Sequence, residues 1–158
     1  MSRPIPFRSS SKRGAVLWKS SLVCTGIVLL VLLVHAWSLR EAKRLVGPAV
    51  VRFHQQLNAG EFDAIYDETA DAFKAVAKRD AFAAFMGRAR ENLGVVREAR
   101  PYSITVHFKS GGIFIVTVYE TTFVDGEAVE TFTWVRAGNK VVLNGYDLTQ
   151  KRPGAAGQ

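Results

Sequence analysis

Cysteine is nearly missing from this chain. The single thiol, Cys24, excludes an internal disulfide framework and a zinc site built on cysteines. Acids are missing from residues 1–20, which carry Arg3, Arg8, Lys12, Arg13 and Lys19. Formal charge of either sign is missing from the 20 residues between Lys19 and Arg40. Net charge is missing from the remainder, because Val46 to Gln158 holds 13 Lys/Arg against 13 Asp/Glu. The chain's +7 therefore belongs to residues 1–20 and to Arg40, Lys43 and Arg44, less Glu41. A nucleic-acid-binding domain needs its cations on the folded body, so that class is excluded. What is present is 158 residues, room for one ordinary domain, with 48% apolar and 22% charged residues, a composition that excludes wholesale disorder.

The uncharged stretch centres on Ile27 to Val34 and is bracketed by Trp18 and Trp37. About 20 apolar residues span a hydrocarbon core, and tryptophan prefers its interfaces. The expected organisation is a basic tail (1–19), a transmembrane signal-anchor (20–39), a juxtamembrane linker (40–47), a domain (48–150) and a frayed tail (151–158). Five cations precede the span and three follow it, so the positive-inside rule puts the N-terminus in the cytoplasm and the domain outside. Two alternatives stand beside the anchor. A cleavable signal would use Val34-His35-Ala36, with cleavage after Ala36. A lipoprotein would use Cys24, although Val23 stands where a small residue is needed.

Helical periodicity opens the domain. Val46, Val50, Phe53 and Leu57 form one stripe, with Pro48 suited to a first turn after a break at Gly47-Pro48, and Asn58-Ala59-Gly60 as the stop. Phe62, Ile65 and Tyr66 mark a second, short helix; Ala70, Phe73 and Val76 give a looser apolar turn; Phe82, Phe85, Met86, Ala89 and Leu93 make a third helix closed by Gly94. The period then becomes two. Strands are expected over Tyr102–Phe108, Ile113–Phe123, Glu127–Arg136 and Val141–Leu148. The expected fold class is α+β, three helices packed on a curved four-stranded antiparallel sheet.

Asp125-Gly126 is a hairpin signal. A two-residue loop would set Tyr119 opposite Phe132, Thr117 opposite Trp134 and Phe123 opposite Ala128, on the helix-covered face with Ile115. The other face would carry Val116 beside Val135, Val118 beside Thr133 and Glu120 beside Thr131. That partly apolar face is the candidate interface, for a protein partner or a second copy.

The run FHQQLNAGEF at 53–62, YDETADAF at 66–73, the Phe82–Gly94 helix, VTVYETTF with DGEAVETFT at 116–133, and VVLNGYDL at 141–148 carry a resemblance. Over roughly 46–150 the chain resembles the cystatin-like, NTF2-like α+β cone superfamily, and within it the small exported or membrane-anchored bacterial domains of unknown function. Val141 stands where that family usually has a tryptophan. The anchor-plus-domain layout also resembles bitopic assembly components of secretion systems. The resemblance implies a single-pass protein of the bacterial inner membrane with its domain in the periplasm. It implies a lipid bilayer and another protein as partners, with no cofactor.

Within such a cone, proton transfer would need an acid, histidine or tyrosine in the pocket. The candidate pocket residues are His54, Tyr66, Tyr119 and Glu130, with Asp67 and Tyr146 as further titratable groups. The assumed register puts Glu120 and Glu130 on opposite faces, so they cannot serve one substrate as an acid–base pair. Glu130, near the hairpin tip, is expected to reach water. Asp67, Glu68 and Asp71 suit a solvated helix face. Gly111-Gly112 stands between strands and is no phosphate loop. Metal-ligand spacing and a nucleophile elbow are also missing. The expectation is an interaction module without catalytic, metal or cofactor-binding residues. Its alternatives are a small apolar-ligand binder using the cone and an isomerase- or cyclase-like enzyme.

Overall fold

The stripe that opens the domain continues further towards the N-terminus than its expected start. In the computed structural model, which describes residues 14–151, the first helix α1 spans Gly14–Ala59 without interruption. Side chains are described from residue 27 onward, His35 excepted. The chain divides into two units, 1–37 and 38–158.

In the first unit, Ile27 to Val34 are each more than half exposed and Trp37 is 71% exposed. Among the described residues no helix is long and apolar enough to cross a membrane. The expected basic tail up to residue 13 and the tail from 152 lie outside the described residues. So do the side chains of Trp18, Cys24 and His35, and the first part of the expected span.

In the second unit, α1 buries Ala42, Val46, Val50, Phe53 and Leu57. Two expectations are corrected here. Residues 40–47 are no linker, since Ala42 and Val46 belong to the core, and the helix does not break at Gly47-Pro48. Pro48 withholds the N–H that would reach the Arg44 carbonyl, a local cost of about 3 kcal/mol. A continuous apolar stripe on both sides of the proline outweighs it, because burying each large side chain is worth about 1.5–3 kcal/mol. The helix stops in a Schellman turn. Gly60, at φ +77°, bonds the Leu57 carbonyl at 3.1 Å, and Glu61 bonds that of Gln56 at 2.9 Å. Asn58 then ties this end to the first strand: its amide donates to the Val96 carbonyl (3.1 Å) and accepts from the Val96 N–H (2.8 Å).

Three further helices follow: α2 Phe62–Asp67, α3 Asp71–Val76 and α4 Arg79–Leu93. The apolar turn expected at 70–76 is thus a helix of its own, and the helices among the described residues number four. Phe82, Met86 and Leu93 carry α4 into the core, and Gly94 at φ +78° ends it. The strands are β1 Val96–Lys109, β2 Gly112–Phe123, β3 Glu127–Ala137 and β4 Lys140–Gln150, an antiparallel meander in the order β1-β2-β3-β4. The fold class is α+β.

The register corrects the expected hairpin. Thr122 pairs with Glu127, Tyr119 with Glu130, Thr117 with Phe132 and Ile115 with Trp134. The loop therefore has four residues, closed by the Phe123 N–H on the Gly126 carbonyl at 2.8 Å. The α4–β1 connection is the reason: Val124 donates to the Val95 carbonyl and Asp125 to that of Leu93, which draws the loop backbone out of the ladder. A shift of one residue would have exchanged the faces; this shift amounts to two and preserves them. Phe132 sits at the centre of the core, fully buried, with the rings of Phe53, Tyr146, Trp134 and Tyr119 at centroid distances of 5.1–5.8 Å.

Candidate functional site

Among the described residues the covered sheet face holds one carboxylate, which apolar packing does not explain. Glu130 is 0% exposed on β3, on the same face as Phe132. A carboxylate there is tolerated only if donors replace its lost water. Three elements supply them. Tyr146 on β4 donates its hydroxyl to Oε1 at 2.6 Å. Thr121 on β2 donates to Oε2, and His54 on α1 approaches the same oxygen with Nε2 at 2.8 Å. With three donors converging, Glu130 is the acceptor-only, ionised form, so Nε2 of His54 carries the proton. No buried side-chain polar atom lacks a partner among the described residues.

The electrostatics follow from this arrangement. Burial pushes the Glu130 carboxyl up, but the hydrogen bond and charge of His54, with the Thr121 and Tyr146 hydroxyls, outweigh it and hold the group below the usual glutamate value. Tyr146 is driven well above the usual phenol value by burial and then by the neighbouring carboxylate. Burial also raises Tyr119.

The expected pocket residues are partly brought together. His54 and Glu130 join, and Tyr119, which is opposite Glu130 in the ladder, lines a shallow groove of about 430 Å³ with His54, Val50, Val51 and Pro101. Tyr66 stands apart. Its hydroxyl donates to the Ala77 carbonyl at 2.7 Å, and its ring packs on Phe73, Phe82 and the Arg79 guanidinium. Asp67 is also elsewhere, on the surface, where the Arg79 hydrogen bond holds it below the usual aspartate value. Glu68 is bonded by Arg52 and Gln56. The expectation that Glu130 reaches water is corrected: the longer loop and the covering α1 put it in the interior. Thr121 was not anticipated, since the assumed register gave a hydroxyl beside Glu130 no role. The available signal was the parity that puts both on the helix-covered face.

The six candidate interface residues do share the opposite face. Val116, Val118, Thr131, Thr133 and Val135 are half-buried, and Glu120 is exposed with Lys151 Nζ at 2.9 Å. Their pairing differs from expectation: Val116 lies beside Thr133, Val118 beside Thr131 and Glu120 beside Val129, with Val135 opposite Phe114. Among the described residues no helix packs over this face.

The buried cluster fixes the orientation of the His54 ring through its Nε2–Glu130 contact. Glu130 itself is sealed by its donors and by Phe132, so it does not meet solvent-borne molecules. A second, larger groove of about 760 Å³ lies between α1 and β4, and its wall includes Arg52, Glu68, Trp134 and Leu143. No protein-family model matches the chain, and no curated protein matches it.

Proposed function

We propose that the chain is a membrane-anchored, non-catalytic interaction module of the cystatin-like, NTF2-like kind, whose domain docks on a protein partner outside the cytoplasm. The observation that carries this reading is the contrast between the sheet's faces. The one buried carboxylate among the described residues takes hydrogen bonds from three elements and serves the fold, whereas the open face presents half-buried valines among threonines and Glu120. That mixture suits a modest interface, with apolar contact for affinity and polar groups for register. The anchor reading is supported by the run of exposed apolar side chains at Ile27–Val34. The cations flanking it support a single-pass protein of the bacterial inner membrane, with the N-terminus in the cytoplasm. Cleavage after Ala36 is the alternative fate of the same segment.

Three experiments test this. A reporter active only outside the cytoplasm, fused after Gln158, is expected to be active. Protease added to spheroplasts is expected to remove the domain and leave a membrane-bound N-terminal fragment. A photo-crosslinking residue at position 118 is expected to capture a specific protein in intact cells, and Val118→Lys, with the domain folded, to abolish the capture. Crosslinks only to a second copy would make the face a homo-oligomer interface; crosslinks to nothing would remove the reading.

One observation favours a second reading. His54 borders the groove with Tyr119 while Glu130 fixes its ring from behind, the arrangement a general base requires. Loss of a cellular phenotype in folded His54→Gln, with Val118→Lys silent, would favour that enzyme-like role.

A further inference from the structure

The domain's charges cancel in sequence but not in space. Register places the β1–β2 and β3–β4 turns at one end of the sheet, since Lys109 pairs with Gly112, Ala137 with Lys140, and Phe114 with Val135 between them. The chain enters this unit at the same end: Glu41 lies 3.8 Å from Arg136, and Arg44 shares a groove wall with Lys140. Six exposed cations gather there, Arg40, Lys43, Arg44, Lys109, Arg136 and Lys140, with Glu41 among them; Asp67 and Glu68, on the wall of the groove that Arg44 and Lys140 share, are already paired with Arg79 and Arg52. Among the described residues none of these six cations but Arg136 has an acidic partner within 4 Å. Elsewhere in this unit acids outnumber bases. Arg52, Arg79, Arg100 and Lys151 are each paired with a carboxylate there, while Lys74, Lys78, Arg88, Arg90 and Arg97 have none within 4 Å among the described residues. The same end carries aromatic surface. Phe108 is 73% exposed, Phe114 is half-buried, and Lys109 lies over the Phe114 ring at 5.5 Å.

We propose that this turn end of the sheet docks on an anionic lipid surface, with Phe108, Lys109 and Phe114 of the β1–β2 tip seated in the headgroup layer. The inference rests on the anchored topology proposed above. Under that topology the cations stand on the translocated side, where the positive-inside rule supplies no reason for them. Anionic headgroups do supply one. Each cation near such a surface is worth roughly a fivefold gain in docked population, and unpaired cations lose no partner on docking. The phenylalanine rings beside them can bury apolar surface at the boundary of headgroups and acyl chains while the cations stay at the headgroups. Docking would set the domain's orientation, leaving the opposite end with its β2–β3 turn pointing away from the bilayer.

The test uses the full chain with Cys24→Ser, reconstituted in phosphatidylcholine vesicles with and without phosphatidylglycerol. An environment-sensitive fluorophore is attached at Ser110→Cys in the β1–β2 turn or at Val124→Cys in the opposite turn. The chain is expected to float with both kinds of vesicle. The label at 110 is expected to shift to the blue and be quenched by brominated lipid only when phosphatidylglycerol is present. The label at 124 is expected to report water throughout. Lys109→Glu with Lys140→Glu, both at exposed positions, should abolish the response at 110 without changing flotation, and high salt should weaken it in the parent. A label at 110 that reports water in both lipids, or responds equally in both, would overturn the proposal. Failure to float with either lipid would overturn the anchored topology, and the docking proposal with it.

Discussion

Glu120 and Glu130 are the same residue type on adjacent, paired strands, and they have opposite surroundings. Glu120 faces water and shares a lysine. Glu130 is sealed against Phe132 and takes hydrogen bonds from three different elements. The difference extends to whole faces. The covered face packs Ile115, Phe132 and Trp134 at 0–3% exposure, while the open face leaves Val116, Val118 and Val135 only half-buried. What separates the two is strand parity together with the position of α1, not the chemistry of the residues. A carboxylate on the covered face is compatible with folding only where the neighbouring elements bring donors to it.

The comparison can be broken most severely at its centre. Phe132→Ala is expected to destabilise the chain by about 3–5 kcal/mol, as large aromatic truncations in cores do, read by urea or thermal denaturation. A variant that unfolds like the parent would show that α1 does not cover this face. Next comes Glu130→Ala, which strands the His54, Thr121 and Tyr146 donors; about 3 kcal/mol is expected, against little change for Glu120→Ala. Tyr146→Phe removes one donor and should cost about 1–2 kcal/mol.

The pH dependence sharpens the same contrast. The folded value of Glu130 is depressed, so its contribution is complete above the ordinary glutamate value of about 4.3 and is lost as pH falls through the lower folded value. Glu130→Gln should therefore flatten the acid limb of stability against pH. Tyr146 is raised, so its contribution is complete below about pH 10 and declines as pH rises towards the folded value. Tyr146→Phe should lack that alkaline loss. The smallest effects belong to the open side. Val118→Ala should cost about 1 kcal/mol or less. Breaking the exposed Arg100–Glu98 pair should leave the unfolding curve where it was.

Most of the fold was legible because its cues are local. The stripe from Val46 to Leu57 specifies a helix, Gly60 and Gly94 end helices at positive φ, and alternation from Tyr102 onward specifies strands. Parity assigned Phe132, Trp134 and Glu130 to one face, and that assignment survived an error of two in the register because side chains repeat every two residues. Charge totals were legible as well, including the neutral balance of residues 46–158. Tertiary structure alone decided that the helix runs through Pro48, because packing on both sides of it outweighs a local cost that sequence cues register only as a break. It alone set the four-residue loop, whose backbone is held by Val95 and Leu93, residues outside the hairpin. It alone joined His54 to Glu130 across 76 positions and brought Arg44, Lys109, Arg136 and Lys140 to one end of the sheet. Those juxtapositions depend on how elements meet, and no local periodicity encodes the distance between residues on different elements.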